Sequence, residues 1–417
     1  MEVTARSSAR TVSRWRRAAD VLALKRDPSI LLIALLLTLA AEKIWIGFAP
    51  KYLATLGASI LVIGLYDALH TFMGAVYAYP GGWLTERLGQ RRSLLLFNAV
   101  SLAGYVLALL WQHWLALVIG VFLFSAWSAL SLPATFTVIA ASLDQRQHTM
   151  GVGVQSLMRR LPMMIGPMVG GWLITRFGWT AGVRYALTIC IALSVATAAV
   201  QWFMSDSPGS VRATAANSRL GFVGVVKTFS PTLRELLISD ILVRFCERLP
   251  YAFVILWAID RVGVTPAQFG YLVAIEMGTA MLCYVPVAHF ADKHGQRPFV
   301  QVTFLFFTLF PLSLLFASTF AGLVAAFVVR GLKEFGEPAR KALIIAQAAP
   351  ELRARTYGAY YLIRDCLVTS GSLAGAWLWS ISPAVNFTAA ATCGLAGTIW
   401  FARHALQSDL KSYAAVE

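Results

Sequence analysis

The sequence predicts an all-α membrane protein, with about twelve transmembrane helices arranged as two pseudo-symmetric six-helix bundles. Three observations carry this. Of 417 residues, 58% are hydrophobic and 13% are charged, and the mean hydropathy is +0.67; soluble chains run near ~25% charged because water meets them on every side. The apolar residues gather into runs of roughly 20, the length at which a helix rising about 1.5 Å per residue crosses about 30 Å of hydrocarbon. The second half of the chain also repeats the spacing of the first. Strands of a membrane barrel would alternate apolar and polar residues over about ten positions, and no such alternation occurs.

The spans expected are 29–52, 59–82, 93–111, 114–138, 151–175 and 180–204, then 235–259, 266–289, 298–317, 319–346, 356–380 and 384–402. Residues 1–28 form a basic tail holding Arg6, Arg10, Arg14, Arg16, Arg17, Lys25 and Arg26. The first apolar run follows a basic start, as in a signal peptide, but it lacks a small-residue cleavage site and further spans follow, so it reads as a retained helix. Arg87, Arg91 and Arg92 follow the second span, and Lys293, Arg297, Arg353 and Arg355 fall on the same side. The positive-inside rule makes these segments cytoplasmic, together with both termini of a multi-pass protein of the plasma (inner) membrane. Residues 205–234, with Ser205, Pro208, Arg212, Asn217, Arg219 and Lys227, are the only long polar interruption. They read as a cytoplasmic linker between bundles at 29–204 and 235–403, with 404–417 as a second cytoplasmic tail.

The net charge of +15 is thereby a matter of topology. The basic residues are not interleaved with aromatics in a basic domain, so no nucleic-acid partner is expected. Cys190, Cys246, Cys283, Cys366 and Cys393 all lie inside apolar runs, without a close-spaced ligand pair, which reads as core packing rather than disulfide or zinc.

The internal repeat is detailed. Glu42-Lys43 is followed by Gly57, Ser59, Gly64 and Pro80, then Glu86, Arg87, Gly89 and Arg91; Glu247-Arg248 is followed by Gly263, Thr265, Gly270 and Pro286, then Asp292, Lys293, Gly295 and Arg297. The register continues, with Pro133 answering Pro338, Gly153 answering Gly358, and Arg159 answering Arg364. Two six-helix halves joined by a cytoplasmic linker, each with this loop between its second and third helices, resemble the major facilitator superfamily over essentially the whole chain. That family's first signature is Gly-x-Leu-x-Asp-Arg-x-Gly-x-Arg-Arg; Gly82, Leu84, Arg87, Gly89, Arg91 and Arg92 match it, with Glu86 where Asp is usual. In the second copy Ala288 and Lys293 replace the Gly and the first Arg.

The resemblance implies a secondary transporter working by alternating access. In these loops glycine permits a tight reversal and an acid facing arginines can clasp one face shut, so Gly82, Glu86, Arg87, Gly89, Arg91, Asp292, Gly295 and Arg297 are candidate gate residues. Positive-inside anchoring of a short loop accounts for the cations alone. In the fifth span, Gly153, Pro162, Gly166, Pro167, Gly170 and Gly171 follow a family pattern associated with antiporters, with Pro162 in place of a Gly. Close helix packing explains small residues at that period equally well.

Charges within spans cost several kcal/mol unless they face protein or a water-filled cavity. Glu42 and Lys43 lie in the first span, Asp67 and His70 in the second, and Arg159 and Arg160 in the fifth. Arg244, Glu247 and Arg248 lie in the seventh, Glu276 in the eighth, and Arg364 and Asp365 in the eleventh. The centres of spans 3, 6, 9 and 12 carry essentially none; the resemblance places those four helices on the lipid side and the others around a central cavity. Arg330, Lys333, Glu334 and Glu337 in the tenth span occupy positions i, i+3, i+4 and i+7, one helical face. Internal pairs such as Arg330 with Glu334 could hold helices together, or the face could bind a charged solute.

The candidate substrate-binding set is Lys43, Arg159, Arg248, Arg330, Lys333, Glu334, Arg364 and Asp365. Glu42 and Glu247, at equivalent midpoints of spans 1 and 7, are candidate proton carriers. Cations and anions in near balance suit an anionic, zwitterionic or amphiphilic small organic solute. The partners expected are therefore that solute, protons and the lipid bilayer, with no cofactor. Export is favoured over uptake of an organic anion or zwitterion. A sensor without net transport, or a membrane-embedded enzyme, is the other class. Asp67 and His70 make a dyad by spacing, but no nucleophilic triad, phosphate loop or metal cluster accompanies them, so no catalytic residue is expected.

Overall fold

The computed structural model describes residues 26–77, 83–85, 87–128, 148–204, 222–348 and 352–414. Among the described residues the secondary structure is helical, without a strand. In the first half these are α1 (Arg26–Trp45), α2 (Ala49–Thr55), α3 (Ile60–Val76), α4 (Gln90–Leu110), α5 (Trp114–Phe124) and α6 (His148–Trp202). In the second half they are α7 (Phe222–Lys227), α8 (Pro231–Tyr251), α9 (Val254–Leu256), α10 (Pro266–His294), α11 (Arg297–Phe316), α12 (Phe320–Leu332), α13 (Glu337–Ala346), α14 (Arg353–Ile381) and α15 (Pro383–Ala414).

The repeat read from the sequence is a repeat of local structure. Gly57 and Gly263, at equivalent turns, have φ of 83° and 80°, and Gly89 and Gly295 have 82° and 83°. A side chain at these four positions would be strained, so glycine there lets the chain reverse. After the first pair of turns, Ser59 caps α3 by accepting from Val62 N, and Thr265 caps α10 in a capping box with Gln268.

Both long inner helices are broken at matching depth. The first span divides at a 3₁₀ turn, Ile46–Phe48, ahead of Pro50, which has no N–H to continue the ladder. The seventh divides after Tyr251, then ends in a π-helical turn, Trp257–Arg261. That break frees the carbonyl of Leu249, and the amide of Asn386 donates to it at 3.0 Å and to Gly375 O at 2.8 Å. Buried polar groups in an apolar setting need such partners.

Several boundaries differ from expectation. The stretch expected as a linker, 205–234, contains α7, and α8 starts at Pro231 because Ser230 caps it there, accepting from Leu233 N. The fifth and sixth spans turn at Gly178, φ 80°, inside the gap expected between them, though the helix runs on through it as α6. The tenth span is two helices, α12 and α13, separated by turns at 333–336, so its four charges do not share one continuous face. α15 runs on through most of the expected tail to Ala414. The end of the fourth span, and the 1–25 part of the N-terminal tail, lie outside the described residues.

The loops with Arg87, Arg91, Lys293 and Arg297 mark one end of the bundle, called here the basic end; the opposite end is distal. One apolar core joins the two halves near the distal end, including Trp45, Phe48 and Tyr66 from the first and Phe253, Phe269 and Trp379 from the second. Toward the basic end the cores separate. One, around Leu31, Leu94 and Trp127, draws only on the first half; another, around Leu236, Phe304 and Tyr360, only on the second.

Glycines bring the helices close. A Cβ at Gly170 would collide with the Ile44 carbonyl of α1, one at Gly171 with Pro266 of α10, and one at Gly64 with Ala376 of α14. Apolar chains gain nothing by hiding from lipid, so close backbone approach supplies the van der Waals energy that holds helices together. Gly166, Gly170 and Gly171 of the fifth-span pattern therefore sit at close helix contacts.

Candidate functional site

Between the halves lies a cavity of about 570 Å³. Its first wall is Lys43, Gly47 and Pro50 of the first span, Tyr66, Asp67 and His70 of α3, and Met163 and Pro167 of α6. The facing wall is Glu247, Arg248 and Tyr251 of α8, Glu276 of α10, Arg330, Lys333 and Glu334 at the α12–α13 junction, and Arg364 and Asp365 of α14. Spans with embedded charges thus surround one space, as the charge pattern requires.

Among the described residues, three ion pairs cross between the halves. Arg248 reaches Asp67 at 3.3 Å, and the Ser372 hydroxyl donates to the same carboxylate at 2.5 Å. Arg160 approaches Glu334 at 3.5 Å, nearer the basic end. At the distal end Lys51 meets Asp260 at 2.5 Å. Distal backbone contact adds to these, with Ala267 N donating to Thr175 Oγ1 at 2.9 Å. The described cross-half contacts are concentrated distally, so the cavity is closed toward that end.

The second half carries a further, continuous network. Glu247 accepts from Lys333 at 2.5 Å and from Arg244 at 2.8 Å. Glu276 lies 3.2 Å from Arg330 and 3.7 Å from Lys333. Arg244 also reaches Glu337 at 3.4 Å, and Glu337 pairs with Arg340 at 2.5 Å. Arg340 pairs in turn with Asp240, which accepts from Arg364 at 3.4 Å and from the Tyr360 hydroxyl at 3.1 Å. Asp240 and Arg340 are almost fully buried, and mutual pairing is what makes such burial tolerable. Aromatic rings cover the exposed faces of the cations: Arg248 lies 4.6 Å from the Tyr251 ring and Arg330 5.2 Å from Phe310.

Most of the candidate binding residues converge on this cavity: Lys43, Arg248, Arg330, Lys333, Glu334, Arg364 and Asp365 all line it. Arg159 does not reach the wall and sits one helical turn beyond Met163. The partners differ from those spacing implied. Arg330 pairs with Glu276 rather than Glu334, because the break in the tenth span turns Glu334 toward Arg160. Arg248 turns from its neighbour Glu247 to Asp67. Glu42 does pair with adjacent Lys43, at 2.7 Å, but stands behind the wall.

Among the gate candidates, Gly82 and Glu86 lie outside the described residues, and the Asp292 side chain does too. Arg87 stacks on Trp83 at 4.9 Å and Arg91 on Trp202 at 4.7 Å, while Gly89 and Gly295 make the turns already described. Sequence reasoning missed Asp240 and Arg340, although Asp240, Arg244 and Glu247 stand at i, i+4 and i+7, a legible face. It also gave Asp67 to a dyad with His70; the true partner is Arg248, 181 positions away. Among the described residues, no group of three His, Cys, Asp or Glu side chains could hold a metal ion.

Comparison with known proteins agrees with this architecture. An uncharacterised MFS-type transporter of Methanocaldococcus jannaschii is 19% identical over 346 residues, 81% of this chain and 84% of that one. An uncharacterised MFS-type transporter of Mycobacterium tuberculosis is 24% identical over 257 residues, 60% of this chain and 54% of that one. Among solved structures, a variant of the nucleoside transporter NupG superposes with a TM-score of 0.77 at 12% identity, covering 90% of this chain and 99% of that one. An occupied, inward-facing bacterial homologue of the human lysosomal transporter Spinster gives 0.67 at 14%, covering 93% and 97%. At these identities the likeness concerns the fold. Residues 30–259 and 236–412 each match the Major Facilitator Superfamily, so two successive matches together account for nearly the whole chain, and the chain belongs to that superfamily of secondary membrane transporters.

Proposed function

We propose that the chain moves a small charged organic solute across the plasma membrane by alternating access, coupled to protons and working in the direction of export, with both termini in the cytoplasm. The observation that carries this reading is the cavity between the halves, walled by charges from both and closed distally by pairs that cross from one half to the other. With the basic end cytoplasmic, the closed distal end faces outward, and the cavity belongs to the inward-facing side of the cycle. Opening outward requires Lys51–Asp260 and Arg248–Asp67 to part, and a bound solute that takes over Arg248 or Lys43 makes that exchange possible.

Proton coupling requires a carboxylate that trades a cation for a proton. Among the described residues Glu42 has one paired cation to give up, Lys43, whereas Glu247 is bridged by Arg244 and Lys333. Glu42 is therefore the simpler carrier. The gate loops at Glu86–Arg91 and Asp292–Arg297 would close the cytoplasmic side in the opposite state. The test is proton movement in proteoliposomes holding an internal pH dye, on addition of anionic, zwitterionic, amphiphilic and cationic compounds. Wild type is expected to show compound-dependent flux, and Glu42→Gln to keep solute exchange while losing at least about tenfold of the proton flux. Unchanged proton flux in Glu42→Gln removes that residue from the coupling step.

A further inference from the structure

Every embedded cation of the cavity and its network described above has a carboxylate partner, with Arg159 as the exception. It lies mid-span in α6, half-buried, and makes no ion pair or hydrogen bond among the described residues. The carboxylate that acts on it electrostatically is Glu42, which Lys43 already holds at 2.7 Å. Arg159 sits four positions before Met163 and eight before Pro167, both of which line the cavity, so all three share a helical face. That places Arg159 one helical turn beyond the wall, on the basic-end side of the cavity. Beside it, Arg160 reaches across to Glu334, another wall residue.

The repeat explains why this cation has no counter-ion among the described residues. Its counterpart, Arg364, occupies the same place in the second half and is satisfied twice, by Asp240 at 3.4 Å and Asp365 at 2.7 Å. Counting back by the same interval, Asp240 corresponds to Leu35 and Asp365 to Arg160. One carboxylate has become an apolar residue buried in α1, and the other has become a cation. The helices pack alike in both halves, α1 on α6 as α8 on α14. The first half thus keeps the arginine and lacks both of its counter-ions.

An unpaired guanidinium at bilayer depth is costly unless something that enters the cavity pairs with it. We propose that Arg159 receives the negatively charged end of the transported solute, and that the solute is an organic oxyanion, a carboxylate or phosphate. A planar fork of donors suits either group, and an Arg–oxyanion pair is stronger and more directional than a neutral contact. Lys43 and Arg160 keep carboxylates of their own, so the site takes one anionic group rather than a polyanion. This rests on the chain being a transporter. The same chemistry belongs to a water-soluble acid and to an amphiphile entering from the bilayer, and the test separates them.

The purified full-length chain is reconstituted in phosphatidylcholine liposomes, and transport currents are recorded on a supported membrane for two matched series: benzoate, benzamide and benzylamine, and octanoate, octanamide and octylamine. The acids are expected to drive transport in one or both series and the amides and amines not to. Arg159→Gln is expected to raise the half-saturating acid concentration at least about tenfold, and Arg159→Lys to stay within about threefold of wild type. Leu35→Asp, which restores the missing counter-ion, is expected to suppress the acid response as well. Size-exclusion profiles and thermal midpoints matching wild type show that each variant is folded, and Arg159→Lys preserves the charge if Leu35→Asp is not. A response confined to amines or amides, or an acid response that Arg159→Gln leaves intact, overturns the role of Arg159 while transport itself stands. No response to any compound in wild type overturns the transporter reading and the inference with it.

Discussion

Asn386 illustrates what a single polar residue does in this fold. Its side-chain amide donates to Leu249 O and Gly375 O, joining α8, α14 and α15 where the seventh span breaks. Replacing it by Ala would leave two buried carbonyls without that donor. Asn386→Ala is expected to cost about 1–3 kcal/mol, read as a lower thermal midpoint of the detergent-solubilised protein. From sequence, Asn386 is one polar residue near the start of an apolar run, and nothing marks the carbonyls it serves. The charged site residues were legible differently. An Arg or Glu inside an apolar span announces itself because lipid cannot accept it, and Lys43, Arg248, Arg330, Lys333, Arg364 and Asp365, read that way, all line the cavity. Their partners were not, because pairing depends on which helices meet: Asp67 and Arg248 stand 181 positions apart.

At the level of the element, the repeat of local signals was readable because turns and caps are short-range. Gly57 and Gly263, with Ser59 and Thr265 after them, specify the same reversal and the same cap in both halves. Interruptions were less readable. The tenth span breaks at 333–336, just ahead of Pro338, whose missing N–H leaves the Glu334 carbonyl without its helical donor, and the break redirected the Glu334 side chain to Arg160. Packing glycines make a sharp prediction. Gly170 faces the Ile44 carbonyl with no room for a methyl group, whereas Gly278 of α10 has nothing within 4 Å of an added Cβ. Gly170→Ala is expected to separate α1 from α6 and destabilise the folded protein by about 1–3 kcal/mol. Gly278→Ala is expected to be neutral, or stabilising by up to about 1 kcal/mol. The folded fraction of each against denaturant, side by side, measures the difference.

At the scale of the whole molecule, the Lys51–Asp260 pair ties the broken tips of two equivalent spans together at the distal end. Lys51→Glu places like charges there and is expected to open that end. In a cysteine-free background carrying Ile46→Cys in the cavity wall, labelling by an impermeant maleimide from the distal face should rise several-fold, and Asp260→Lys in addition should restore the wild-type rate. Equal labelling in all three would show that the pair does not hold the distal end closed. What the sequence alone determined is the helical membrane class, the two-fold repeat, the turns and the set of embedded charges, because span length, φ-positive glycines and the cost of charge in lipid are local or one-residue properties. Which charge faces which, where the spans break, that Gly166, Gly170 and Gly171 sit at close helix contacts, and that Arg159 is the one cation of the described cavity network without a counter-ion among the described residues were decided by the tertiary structure. Those depend on the approach of helices far apart in the chain, and a linear pattern carries no distance between them.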